Sequence, residues 1–285
     1  MQQNLQHESN DKLWNIDYVK VLAANAMMYF AFYLLAPLLP IYLTERFGTT
    51  KDVIGLVLFG YTVAALLFRP FSGYIVDSFN RKKVLMACVF AFAACFAGYL
   101  VAGTLLMFAI VRTVHGGPFG AATVANSTAA IDVLPSTRRT EGLGYYGLSN
   151  NLAMAVAPSA GIYIYEACHN FTVLFWIALI VAIIGFLIDS SVKIPIKDIV
   201  ENRGKFSLDR FFLTRAWLLA INIALFGFCF GVLSNYLAIY SRDVMGITDG
   251  TGTYFAFLSL GLVCSRLQGA KSLRQGHVTH NAAYG

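Results

Sequence analysis

Two basic side chains inside a long apolar segment could carry charge or protons. Arg112 and His115 stand three residues apart within residues 105–134, which are otherwise mostly apolar or small. That spacing puts both on one helix face, and an ionisable group inside a membrane segment marks a substrate or ion path by default. Imidazole titrates near neutral pH, so the pair is a candidate for proton coupling. Two alternatives stay open: Arg112 extending to the outer membrane surface, and His115 serving only as a packed, hydrogen-bonded side chain.

A second group of charges stands between two apolar segments, in residues 69–83. Asp77 and Arg81 are four residues apart, a spacing that allows an ion pair across a helix end, and Lys82 follows directly. Gly73 precedes them and is predicted to remove a side chain where two helices approach closely. The alternative is a basic turn that only sets the orientation of the chain, since cations collect on the cytoplasmic side of membrane proteins.

Polar and aromatic side chains within the apolar segments are candidates for lining a central cavity. Some recur every four residues and so share one helix face. Each could instead form a hydrogen bond between neighbouring helices, which commonly joins membrane spans. The cavity candidates are Asn25, Tyr29, Tyr33, Asn126, Asn150 and Asn151.

The sequence contains no pattern that predicts catalysis. It has no glycine-rich phosphate loop ending in Lys-Ser/Thr and no cluster of metal ligands. Its five cysteines, at positions 88, 95, 168, 229 and 264, include no Cys-x-x-Cys pair and read as small packing residues. We therefore expect no enzyme activity, no cofactor and no metal.

The composition is that of an all-α protein with several membrane spans. Of the 285 residues, 58% are hydrophobic and only 13% are charged, whereas soluble domains carry about 25% charged residues. The net charge of +6 could suggest a nucleic-acid partner. We reject that interpretation, because the cations lie in loops between apolar segments and form no continuous basic stripe.

Apolar segments of about 20 residues are long enough to cross a bilayer, and they divide the chain. We predict a polar N-terminal tail, a six-helix bundle, a basic linker, the first two helices of a second bundle, and a polar tail. These regions are 1–17, 18–188, 189–215, 216–270 and 271–285. The predicted spans cover about 18–43, 53–76, 84–102, 105–134, 141–165, 171–188, 216–240 and 247–269.

The distribution of Lys and Arg predicts the orientation. With the N-terminus inside, the outer turns hold only Arg46, Lys51 and Arg242, while Arg69 and Arg112 lie within spans. The remaining cations all fall on the inner side, as the positive-inside rule requires. We therefore expect a cytoplasmic N-terminus, and the short turns favour a bacterial inner membrane.

The pattern Gly73-x-x-x-Asp77-x-x-x-Arg81-Lys82 resembles the loop between helices 2 and 3 of the major facilitator superfamily of secondary transporters. Asn80 stands where the family has Gly, and Asn is a common substitute where the backbone is left-handed. The resemblance implies two six-helix bundles related by a repeat. It also implies that this loop latches the bundles, with a partner from a helix of the second bundle that would follow residue 270.

Two further patterns resemble signatures of the same family. Arg112-x-x-x-Gly116-x-x-x-Gly120 is similar to the fourth-span signature, whose Arg is tied to proton coupling, and Ala157-Pro158-x-x-Gly161 partly resembles the signature of drug:proton antiporters. Small residues also let helices pack closely. The predicted packing residues are Gly116, Gly120, Pro158 and Gly161.

These observations predict a secondary transporter that moves a small molecule by alternating access, with proton-coupled efflux favoured over import. Its partners would be the substrate, protons and the lipid bilayer, and no oligomeric state is predicted. The chain ends about four spans before a complete second bundle would. Two alternatives therefore stay open: a truncated membrane protein that does not transport, and a half-transporter completed by pairing, against which eight spans rather than six argue.

Overall fold

The computed structural model describes residues 12–195, 217–247 and 250–264, apart from 259, 262 and 263, and it gives no side-chain placement for 140, 219 and 220. Every regular element in these ranges is helical, which confirms the predicted all-α class. The helices are α1 Ile16–Leu35, α2 Leu39–Phe47, α3 Lys51–Ser78, α4 Arg81–Val101, α5 Leu105–Val133, α6 Arg139–Cys168, α7 Phe171–Ser190 and α8 Trp217–Asp243, with a 3-10 turn at Ser136–Arg138 and a helical segment at 251–258.

Six of these helices are long and apolar enough to cross a membrane: α1, α3, α4, α5, α7 and residues Ile221–Asp243 of α8. The predicted span at 141–165 corresponds to α6, whose 30 residues reach about 45 Å. Its glycine, serine and asparagine residues lower its hydropathy, and α6 is not among the six. The predicted span at 247–269 and the linker at 189–215 lie partly outside the described residues.

Two local predictions can be compared with the observed turns. The predicted first span is split, because α1 ends before Pro37, which lacks the N–H needed to continue the helix, and α2 begins with Pro40 in its first turn. Asn80 does not adopt a left-handed backbone, so that expectation was wrong. Its φ is −60°, and its side chain caps α4 by accepting a hydrogen bond from the Lys83 backbone N–H.

Close approach of backbones holds the first bundle together. A Cβ on Gly116 would overlap the Tyr61 carbonyl oxygen, and one on Gly120 would lie 2.7 Å from the Ala65 carbonyl oxygen, so α5 presses directly on α3. On the other side, Gly161 of α6 meets the Leu34 carbonyl oxygen of α1. Small residues at these crossings let the helices approach as they do in membrane proteins generally.

The helix ends define two ends of the molecule. At the first, which we call the Arg81 end, α1, α4 and α6 begin and α3, α5 and α7 finish. At the second, the Glu45 end, α2 and α8 finish and α7 begins. In the predicted orientation the Arg81 end faces the cytoplasm.

Candidate functional site

Arg112 lies inside the bundle rather than at a membrane surface. Its residue is 3% exposed, so extension to the outer surface is not what the structure shows. The guanidinium carbon lies 4.2 Å from the centroid of the Tyr61 ring and 5.2 Å from that of the Phe32 ring. These aromatic faces offer a desolvated cation partial compensation for lost water.

The hydroxyl of Tyr99 joins Arg112 to His115. Arg112 Nη1 donates to the Tyr99 oxygen at 3.2 Å, and the same oxygen lies 2.7 Å from His115 Nδ1. A guanidinium only donates, so we assign the Tyr99 proton to the bond with His115 Nδ1. His115 is then a neutral imidazole that carries its proton on Nε2.

Three polar atoms of this cluster have no hydrogen-bond partner among the described residues: Arg112 Nε, His115 Nε2 and Tyr61 Oη. His115 is fully buried between aromatic rings, with its ring centroid 4.8 Å from those of Phe92 and Phe96. A buried donor without a partner costs free energy. Arg112 and His115 share a face of α5 and are joined by Tyr99; their part in proton coupling stays a prediction.

At the Arg81 end, Arg81 binds two carboxylates from different helices. Its Nη1 lies 2.6 and 2.7 Å from the oxygens of Asp132 on α5, and its Nη2 lies 3.0 Å from Asp77 on α3. The Asp77–Arg81 pair was predicted from its spacing. Asp132 was not, and it is the more buried partner, with a side chain that is 0% exposed against 71% for Asp77.

Lys82 closes the C-terminal end of α7. Its ammonium group donates to the backbone oxygens of Ser190 at 3.0 Å and Val192 at 2.8 Å, and also to that of Asp189. Carbonyls at a helix C-terminus lack partners within the helix, so a lysine there satisfies them. The predicted gating loop thus fastens α3, α4, α5 and α7 to one another within the first bundle.

The expected latch partner of this loop would follow residue 270, outside the described residues, so that expectation stays a prediction. Among the described residues, Arg81 takes its buried partner, Asp132, from the first bundle. Gly73 was expected at a close helix contact, but a Cβ placed there meets no described atom within 4 Å. The open space at Gly73 arises because most of the inner half of α3 is exposed among the described residues.

Among the cavity candidates, Asn25 and Asn150 meet as a hydrogen-bonded link between α1 and α6. Asn25 donates to Asn150 Oδ1 and, at 3.0 Å, to Ser149 Oγ, while its own oxygen accepts a hydrogen bond from the Tyr146 hydroxyl at 2.8 Å. Asn25 is fully buried. This arrangement is the helix-to-helix alternative rather than a free cavity wall.

The remaining cavity candidates occupy different surroundings. Tyr29 and Tyr33 are half-buried and stacked, with ring centroids 6.3 Å apart and planes 8° from parallel. Asn126 is fully buried, and both polar atoms of its amide lack a partner in the described part of the chain. Asn151 is partly exposed.

Contacts between α8 and the first bundle lie at the Glu45 end. Arg242 Nη1 is 2.9 Å from Glu45 Oε1, and Lys51 Nζ is 3.5 Å from Asp243. Glu45 also accepts a hydrogen bond from the Tyr165 hydroxyl at 2.9 Å. By contrast, residues 221–229 of α8 are exposed along their whole length. Within the described residues, the ion pairs between the two parts thus lie at the Glu45 end.

Within the described ranges, no three His, Cys, Asp or Glu side chains are grouped so that they could hold a metal ion. The Arg112 cluster instead contains one guanidinium, one imidazole and the hydroxyls of Tyr61 and Tyr99. Such groups can exchange hydrogen bonds and protons, but they form no set of nucleophile and base.

Comparison with known proteins gives a consistent match. The family model described as Major Facilitator Superfamily matches residues 21–278. The uncharacterized MFS-type transporter YhhS of Escherichia coli (strain K12) is 27% identical over 264 residues, which cover 89% of this chain and 63% of that protein. The chain thus spans slightly less than two thirds of the length of this curated relative.

Two further relatives carry functional names. A Na(+), Li(+), K(+)/H(+) antiporter of Planococcus maritimus is 26% identical over 182 residues, covering 62% of this chain and 42% of that protein. The staphylopine export protein of Staphylococcus aureus (strain Mu50 / ATCC 700699) is 25% identical over 228 residues, covering 77% and 56%. Among solved structures, the nucleoside transporter NupG (D323A mutant) superimposes with a TM-score of 0.68 at 13% identity, covering 88% of this chain and 66% of that one.

Proposed function

Because the chain belongs to the Major Facilitator Superfamily, we propose that it moves a small molecule across a membrane by alternating access and that proton movement drives its export. The two bundles would rock about the central cleft, exposing it first to one side and then to the other. The protein would lie in a bacterial inner membrane with its N-terminus in the cytoplasm, as the positions of its Lys and Arg residues predict.

The observation that carries this proposal is the unequal closure of the two ends. Ion pairs join Glu45 to Arg242 and Lys51 to Asp243 at one end, while the first half of α8 stands exposed. A carrier that alternates needs contacts at each end that can break in turn. In the proposed cycle this conformation would be the state that is open toward the cytoplasm.

The Arg112–Tyr99–His115 cluster is our candidate for coupling to protons. The Tyr99 hydroxyl bonds both Arg112 and His115 Nδ1, so a shift of one helix would change the partners of all three side chains. Similarity to a cation/H(+) antiporter and to an export protein supports coupling and outward transport.

Efflux from intact cells tests this proposal. Cells that express the chain would be loaded with ethidium, rhodamine 123 or fluorescein, and the loss of fluorescence would be followed with and without a protonophore. We expect export of at least one dye, abolition by the protonophore, and loss in Arg112→Ala at equal membrane expression. Arg139→Ala is the matched control, because Arg139 is an exposed arginine outside the cluster.

Each part of the proposal has its own contradicting result. Export that continues with the protonophore would contradict proton coupling, and export that continues in Arg112→Ala would contradict the role of the cluster. No export of any dye by the chain, with the protein present in the membrane, would contradict the proposed efflux function.

A further inference from the structure

A cavity of about 530 Å³ opens at the Glu45 end of the first bundle. It is lined by helix α2, by the end of α4 with the turn that follows, and by the junction of α6 and α7. Its described lining residues all fall within residues 42–175, so the cavity belongs to the first bundle rather than to the space between the bundles. Its volume is typical of pockets that hold small molecules.

Helix α2 presents three side chains to this cavity. Tyr42, Glu45 and Arg46 all line it, and residues three and four apart are neighbours on a helix surface. Glu45 and Arg46 carry opposite charges on consecutive residues, whose Cα atoms are about 3.8 Å apart. A ligand in the cavity would therefore meet a carboxylate and a guanidinium close together.

Aromatic rings form the inner wall of the cavity. The centroid of the Tyr42 ring lies 5.1 Å from those of both Phe171 and Phe175, and all three residues line the cavity. Tyr42 and Phe175 are 8% and 3% exposed, so packing on the bundle holds their rings in place. This aromatic wall offers a flat apolar ligand contacts with ring edges and faces.

The opposite wall, at the junction of α6 and α7, is held by two hydrogen bonds. The backbone N–H of His169 donates to the Tyr165 carbonyl oxygen at 2.7 Å. The side chain of Asn170 accepts a hydrogen bond from the Thr172 N–H at 2.9 Å. His169, Asn170 and Thr172 line the cavity. A wall that is fixed before a ligand arrives lowers the entropic cost of binding.

Glu45 connects this cavity to helix α8. Its Oε1 lies 2.9 Å from Arg242 Nη1, and its Oε2 accepts a hydrogen bond from the Tyr165 hydroxyl at 2.9 Å. The side chains of Glu45 and Arg242 are 43% and 33% exposed. Exposed ion pairs contribute little to stability, so a ligand with a positive charge can compete with Arg242 for this carboxylate.

We propose that the cavity binds a small aromatic zwitterion, whose ammonium group binds Glu45 in place of Arg242 and whose carboxylate binds Arg46. The guanidinium fork fits a carboxylate, and the aromatic wall accepts the rest of the molecule. An aromatic α-amino acid has this chemistry, because its two charged groups stand on one carbon atom. Binding would favour separation of α8 from the first bundle at the Glu45 end, and only this consequence rests on the proposed function.

Equilibrium dialysis tests the site without requiring transport. The purified full chain, in nanodiscs of phosphatidylcholine, would be dialysed against radiolabelled L-tryptophan, tryptamine or indole-3-propionate. These probes share an indole ring and a two-carbon chain, but the first is a zwitterion, the second a cation and the third an anion. We expect L-tryptophan to bind about 10-fold more tightly than either of the others, since each of those lacks one charged hydrogen-bonding group.

Opposite changes in two variants assign the ammonium group to Glu45. Glu45→Gln should weaken L-tryptophan binding about 10-fold, whereas Arg242→Ala should strengthen it about 2-fold to 5-fold by removing the competitor. A purely structural role for the ion pair would weaken binding in both. Arg46→Gln should lower L-tryptophan binding to the level of tryptamine. Arg139→Gln is the matched control: it removes an exposed arginine at the Arg81 end and should change nothing.

Filling the cavity gives an independent check. Gly103 lines the cavity, and a Cβ placed there meets no described atom within 4 Å, so Gly103→Phe directs a ring into open space. This variant should unfold at the same temperature as the unaltered chain and lose L-tryptophan binding. Gly144→Phe adds the same ring at an exposed position near the Arg81 end and should bind normally.

Three results would overturn the proposal: no binding of L-tryptophan, binding of tryptamine or indole-3-propionate as tight as that of L-tryptophan, or weaker binding in Arg242→Ala. Dye export by the unaltered chain, combined with any of them, would leave the transport function standing while the cavity site failed. Selective binding of L-tryptophan by a chain that exports no dye would support the site and contradict the efflux function.

Discussion

Arg112 lies within a span and Arg81 at the inner end of one, and the two side chains are compensated for lost hydration in different ways. Arg81 takes two carboxylates, one of them fully buried. Arg112 takes two aromatic faces and one hydroxyl. A strong ion pair fixes a structure, whereas a cation held by a ring and a hydroxyl is easier to move. This difference supports a structural role for Arg81 and a role in coupling for Arg112.

Tyr99→Phe should destabilise the first bundle by about 1–3 kcal/mol, the usual cost of leaving buried hydrogen-bonding groups without a partner. The substitution keeps the ring but removes the hydroxyl that joins Arg112 and His115. Thermal unfolding of the purified protein in detergent would measure the change. Tyr74→Phe, at a position that is 58% exposed, is the control and should have almost no effect. Equal melting temperatures for the two variants would contradict the described cluster.

Asp132→Asn should cost about 1.5–3 kcal/mol, because it weakens charged hydrogen bonds to Arg81 at a buried position. Asp77→Asn, which alters the partner that is 71% exposed, should cost no more than about 1 kcal/mol. Denaturation monitored by circular dichroism would rank the two variants. A larger loss in Asp77→Asn would mean that the sequence motif, rather than the buried partner, carries the stability of this loop.

Spacing along the chain predicted the local pairs and missed the distant ones. Arg112 with His115, and Asp77 with Arg81, were found because residues three or four apart share a helix face. Tyr99 and Asp132 join those pairs from neighbouring helices, across 13 and 51 residues respectively. Nothing in a single sequence records which helices lie side by side. A hydroxyl or carboxylate at the end of an apolar segment was the one available signal.

At the scale of helices, the glycines differ in how closely a neighbouring helix approaches them. Gly161→Ala should destabilise the protein by about 1–3 kcal/mol, the usual cost of overpacking a close contact, because the new methyl group would overlap the Leu34 carbonyl oxygen. Gly73→Ala should be neutral or slightly stabilising, since its Cβ meets no described atom and alanine favours a helix. Thermal unfolding distinguishes the two, and a reversed order would contradict the packing of α6 on α1.

The helices themselves were largely predictable, while their breaks were only partly so. Apolar length gave the spans, whereas the structure breaks the first one near Pro37, which cannot continue a helix. Pro158 did not end α6, whose helix continues through it. The backbone at Asn80 was predicted wrongly, because a capping side chain satisfies the same turn that a glycine could make. Local chemistry allows both solutions, and the packing of neighbouring helices selects one.

On the scale of the whole molecule, the described ion pairs between α8 and the first bundle all lie at the Glu45 end. Opposite charges meet at the Glu45 end, where the sequence predicted only a few cations, and these ion pairs join residues nearly 200 positions apart. Surface ion pairs contribute little individually, so they would suit the gate that the proposed cycle requires. This arrangement could not be predicted from composition, which gives the number of charges on each side but not their partners.

Cross-linking the Glu45 end tests alternating access most directly. In a variant whose five cysteines are replaced by serine, Glu45→Cys and Arg242→Cys would be introduced together and joined by a short bifunctional thiol reagent that a reductant can cleave. Each single-cysteine variant, treated identically, is the control. We predict that the joined protein stops exporting dye and that export returns after reduction. Full export by the cross-linked protein would contradict our central claim, because transport would then not require this end to open.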